Sequence, residues 1–64
     1  MDIGWQQVCA MASLGKYVEA GGHIFQVIGL TPEWRLVLES KGGMIGEAAC
    51  NEVTPLLEVV QTVH

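Results

Sequence analysis

Two glycine pairs, Gly21-Gly22 and Gly42-Gly43, constrain this chain more than any other feature. At Gly21-Gly22 both positions can take the positive φ that a tight two-residue hairpin turn needs, and Lys41-Gly42-Gly43 reads as the next hairpin turn. The segments between the pairs are therefore short and double back on one another. They are also rich in β-branched and aromatic residues, which suit a pleated surface better than a helix. Strands are predicted over 16–20, 23–30, 34–40 and 44–49. Gly29, near the end of the second, marks a bulge or a close backbone approach. Thr31-Pro32-Glu33 is a turn, with Pro32 presetting φ at its second position. Alternation is clearest over 34–40: Trp34, Leu36 and Leu38 fall on one face, Arg35, Val37 and Glu39 on the other. Gly46, Ala48 and Ala49 weaken the fourth strand, and a short helix over Gly46–Cys50 competes with it.

The ends read differently. Residues 2–14 are predicted as a helix, with Asp2 as N-cap and Trp5, Val8, Cys9, Met11 and Ala12 making one apolar face. Trp5 is expected in the core. Gly15 then serves as a left-handed C-terminal residue, with Lys16 beside the negative end of the helix. A strand is favoured over 56–63, because Val59, Val60, Thr62 and Val63 are β-branched; a helix capped at Thr54-Pro55 is the alternative. The expected architecture is a single α+β domain over 1–64. Its N-terminal helix precedes a small curled antiparallel sheet or SH3-like partly open barrel of four to five strands.

Charge narrows the function. Seven acidic residues face three bases, Lys16, Arg35 and Lys41, for a formal net charge of −4. Nucleic-acid and anionic-membrane binding need several clustered Lys or Arg, so both are disfavoured. The longest apolar run, Val8–Ala12, is far short of the roughly 18 residues that span a bilayer. Asp2 is no basic leader, so a cytoplasmic location with reduced Cys9 and Cys50 is expected. Only 16% of the residues are charged, against about 25% in a typical domain. A 64-residue chain has much surface for its volume, so apolar groups remain outside unless a partner covers them.

No motif carries chemistry. Cys9, His23, Cys50 and His64 lack the short paired spacing of a zinc site, and no metal or other cofactor is expected. The thiols read as small hydrophobes; a Cys9–Cys50 bridge requires the helix to sit against the fourth strand. His23, after a turn, reads as solvated. Gly42-Gly43-Met44-Ile45-Gly46 lacks the Gly-Lys-Ser/Thr ending of a phosphate loop and reads as a hairpin turn. Glu33, Glu39, Glu47, Glu52 and Glu58 are spread along the chain and read as a solvated acidic surface. No catalytic residue is assigned.

Leu30-Thr31-Pro32-Glu33, followed by Val37, Glu39 and Ser40, resembles a stretch of the plasmid-encoded type II dihydrofolate reductases. Those are small SH3-like barrels assembled as tetramers around a central pore, so the resemblance implies a small barrel. The family's Val-Gln-Ile-Tyr pore motif is absent. Phe25-Gln26-Val27-Ile28 has no tyrosine and precedes the matching stretch, so no catalytic role carries over.

The expected function is that of a non-enzymatic interaction domain, an accessory or inhibitor protein such as phages and mobile elements carry. It would act by surface occlusion or self-assembly, with another protein or further copies of itself as partner. The expected surface is Trp34 and Val37, rimmed by Glu33, Glu39 and Arg35. The alternative is an oligomeric small-molecule binder or enzyme whose site forms between subunits, since one such chain has little room for a pocket.

Overall fold

The hairpins form where the glycines place them. In the computed structural model, which describes residues 4–56, strand β1 (Tyr17–Ala20) turns at Gly21-Gly22 into β2 (His23–Leu30), and both glycines have positive φ. β3 (Leu36–Ser40) turns through residues 41–43 into β4 (Ile45–Ala48), with Gly43 at φ +94° and its N–H donated to the Ser40 carbonyl at 2.9 Å. A helix, α1 (Gly4–Ser13), precedes the strands. A single 3-10 turn (Cys50–Glu52) and a two-residue strand, β5 (Thr54–Pro55), follow them. All pairings are antiparallel, in the order β4-β3-β2-β1-β5, and the curled sheet does not close on itself. The fold is α+β, one N-terminal helix followed by a small open sheet.

Gly29 marks a bulge. Val27 faces Leu38 and Gly29 faces Val37, which leaves Ile28 without a partner on β3. The inner face carries Val18, Val27, Leu36, Leu38 and Ala48, which with Ala10 of α1 form the buried core. Phe25, Leu30, Trp34, Cys50 and Val53 pack against it.

Several boundaries move. The strand expected from residue 34 starts at Leu36, because Trp34 lies in the left-handed region at φ +65°, which extended backbone excludes. The strand expected over 44–49 narrows to Ile45–Ala48, and the competing helix does not form there. The fifth strand comes before its expected place. Thr54 and Pro55 pair with Glu19 and Val18, and the Leu56 N–H extends the contact to the Tyr17 carbonyl at 3.2 Å. Thr54 and Pro55 are themselves strand. The proposed cap Asp2, His64 and the rest of the 56–63 prediction beyond Leu56 lie outside the described residues.

The largest correction concerns α1. Its buried residue is Ala10, with Cys9 and Ser13 half-buried, whereas Trp5, Val8 and Met11 are 55%, 66% and 54% exposed. The sheet already supplies the branched side chains of the core. What fits between it and the helix backbone is a methyl group, and Trp5 is not a core residue. Beyond the helix Gly15, at φ +83°, donates its N–H to the Val27 carbonyl at 2.8 Å, which ties the helix end to β2.

Leu36→Ala is expected to lower stability by about 3 kcal/mol through the cavity it leaves. Ile24→Ala, on the open face, is expected to change it by under about 0.5 kcal/mol. Urea unfolding followed by tryptophan fluorescence checks both.

Candidate functional site

Strand order decides which backbone groups are available. Among the described residues β4 is an outer strand, bonded to β3 on one side only. Ser40 donates its N–H to the Met44 carbonyl at 2.9 Å, so these two close the hairpin as a hydrogen-bonded pair. By antiparallel alternation Gly46 and Ala48 then turn their backbone groups toward β3, and Ile45 and Glu47 turn theirs to the open side. Met44 and Ile45 are 70% and 59% exposed beside this edge. β4 holds no proline and no lysine, two residues that commonly blunt such edges.

The outer face of the sheet is uncovered by α1. Tyr17, Gln26, Glu39 and Ile45 form one cross-strand row; Gly29, Val37 and Glu47 form another. Glu19 lies between Ile24 and Thr54. Tyr17, Ile24, Gln26 and Glu39 line a shallow groove of about 420 Å³ that ends at Lys41. The Arg35 guanidinium meets the Glu47 carboxylate at 3.5 Å. Both side chains are largely solvated, so this pair adds little stability.

The five surface residues named from sequence divide into two groups. Val37 and Glu39 sit on the outer face. Glu33, Trp34 and Arg35 instead line a cleft of about 270 Å³ with Trp5, Gln6, Ala49, Cys50 and Asn51. Thr31 builds the loop that presents them. Its carbonyl accepts the Trp34 N–H at 2.9 Å, and its hydroxyl accepts the N–H groups of Glu33 at 3.2 Å and Arg35 at 3.0 Å. These bonds hold Trp34 in a conformation that costs a non-glycine residue on the order of 1–2 kcal/mol. Met44, Ile45 and Gly46 were not legible as a surface, since nothing local says that their strand ends the sheet.

The described carboxylates take separate places. Glu52 accepts the Ala49 N–H at 2.9 Å and fixes the 3-10 turn, while Glu19, Glu39 and Glu47 spread across the outer face. His23 is exposed at the β1–β2 turn. Among the described residues no three His, Cys, Asp or Glu side chains gather to hold a metal, and no helix is long and apolar enough to cross a membrane.

Cys9 and Cys50 are free and half-buried, one on α1 and the other on the 3-10 turn that α1 packs against. Burial pushes the Cys50 thiol up to about 11, and the neighbouring Cys9 adds to the shift; the Ser13 hydroxyl, itself bonded to the Cys9 carbonyl at 2.9 Å, opposes it.

No family model matches the chain, and neither the curated proteins nor the solved structures include a match. The resemblance to the type II reductases therefore stays confined to Leu30–Ser40.

Cys50 titrates higher folded than unfolded, so its protonated form stabilises the fold below about pH 9, and that contribution is lost as pH rises toward 11. Chemical unfolding across this range should show an alkaline loss that Cys50→Ser diminishes. Alkylation of Cys50 at pH 8 should run about tenfold more slowly in the native chain than in urea, as peptide mass spectrometry would read.

Proposed function

We propose that the chain is a protein-interaction domain whose partner is a second copy of itself, joined edge to edge through β4. The observation that supports this reading is the open side of β4, where Ile45 and Glu47 direct backbone N–H and C=O groups away from the sheet.

A two-fold pairing must set residues of the same face opposite one another. Centring it on Gly46 satisfies this and uses the whole strand. Ile45 then exchanges both backbone bonds with Glu47 of the second copy, and the symmetry repeats the exchange. Met44 comes to lie beside Ala48 of the second copy, which covers a thioether that is otherwise 70% exposed. Glycine at the centre offers no side chain to obstruct the approach. Centring on Glu47 would set carboxylate against carboxylate, and a net charge of −4 gives no attraction to offset it. The product is a continuous sheet whose outer face joins the rows that hold Tyr17, Val37, Glu39 and Ile45 of both copies. Nothing in this reading requires catalysis, a metal or nucleic acid.

Ile45→Pro removes the outward N–H and spares the bonds to β3, since proline is accepted where an edge N–H faces solvent. Sedimentation equilibrium should find the natural chain dimeric. The variant should dissociate at least about 30-fold more readily, from roughly 1 kcal/mol per lost hydrogen bond counted in both copies, with an unchanged circular dichroism spectrum. A natural chain that stays monomeric at millimolar concentration, or a variant that dimerises equally well, overturns the reading.

A further inference from the structure

Cys9 and Cys50 are about forty positions apart in the sequence, and the fold brings them together for definite reasons. Ala10 is seated on the inner face of the sheet, so its neighbour Cys9 is held at the margin of the core. Ala48 is buried in the same core, and the chain leaving it reaches the 3-10 turn at Cys50, whose side chain packs against the core cluster. α1 packs against the 3-10 turn that carries Cys50, and Trp5, one helical turn before Cys9, lines the same cleft as Cys50. A disulfide needs Cβ atoms about 3.8 Å apart, a spacing that side chains on two elements packed together reach by a small movement of one of them. Both residues remain half-exposed, and the cleft beside Cys50, bounded by Trp5 and Trp34, gives a small reagent a way in.

We propose that Cys9 and Cys50 are a reversible dithiol–disulfide pair that fastens α1 to the end of β4, formed by exchange with a low-molecular-weight disulfide of the glutathione class. In the first step a thiolate of the chain attacks one sulfur of the small disulfide; its proton passes to solvent, a mixed disulfide forms, and one small thiolate leaves and takes up a proton. In the second step the other protein sulfur, after losing its proton, attacks the protein sulfur of the mixed disulfide and expels a second small thiol. Two protein thiols are thereby oxidised to one disulfide, and the small disulfide is reduced to two thiols.

The bond matters here because α1 is thinly held. Its buried contact is Ala10, supported by half-buried Cys9 and Ser13, while its large apolar side chains face solvent. A covalent tie at this point fixes whether the helix covers the sheet, and it fixes the width of the cleft whose walls include Trp5 on one side and Cys50 on the other. The inference does not rest on pairing through β4.

The test uses the whole reduced chain in glutathione buffers of graded ratio, quenched with acid and read by intact mass and peptide mapping. The intramolecular Cys9–Cys50 bond should appear as a loss of two hydrogens. Its equilibrium constant should be on the order of 100-fold larger in the native chain than in urea, because a fold stabilised by the bond stabilises the bond equally. Tm should rise by about 15 °C on closure. Cys9→Ser and Cys50→Ser, each checked for native circular dichroism, should stop at a single glutathione adduct with no such rise. The comparison with urea needs neither variant to fold. Two glutathione adducts on the native chain, bonds only between chains, or equal closure in urea and in buffer would each overturn the proposal.

Discussion

Ala10 sets how closely α1 approaches the sheet, and the rest of the arrangement follows from that contact. Among the described residues the helix has ten residues and the sheet five strands. One helix lying at methyl distance covers Val18, Val27, Leu36 and Leu38 and leaves the opposite face wet. No buried polar or charged residue occurs among the described residues. Specificity in this core therefore comes from shape and alternation alone. The bulge at Ile28 lets Leu30 and Leu36 stay paired on the inner face, although the paired stretches, 25–30 and 36–40, differ by one residue.

The parts legible in the sequence are those fixed by local physics. Gly21-Gly22 and Gly43 take the positive φ their turns require, Gly29 accompanies the bulge, and Leu36 and Leu38 point inward while Val37 and Glu39 point out. Illegible parts depended on distant choices. In a helix with apolar residues at most positions, periodicity alone could not decide between Trp5, Val8 and Met11 and the smaller group around Ala10. The preference for closeness over bulk is set by a sheet assembled later in the chain. Trp34 alternated correctly with Leu36, yet three bonds from Thr31 hold it in a turn instead of a strand.

The surface tells the same story. Trp34, Val37, Glu33, Glu39 and Arg35 are neighbours in the sequence, but the turn at Trp34 and the pleat of β3 send Glu33 and Trp34 to the cleft and Val37 and Glu39 to the outer face, with Arg35 bordering the cleft and reaching Glu47. The available edge belongs to β4, a strand whose small residues made it the weakest prediction of the four. Those residues, Gly46 and Ala48, are the ones that leave its flank unobstructed. The approach of Cys9 to Cys50 was likewise out of reach of spacing rules, because it depends on where the chain goes after β4.

The indoles of Trp5 and Trp34 and the sulfur of Cys50 border one cleft. Indole emission is sensitive both to hydration and to nearby sulfur, so the molecule carries a built-in optical gauge of its helix. Departure of α1 would separate the two rings and wet them, and their colour and brightness would register the event without any attached dye.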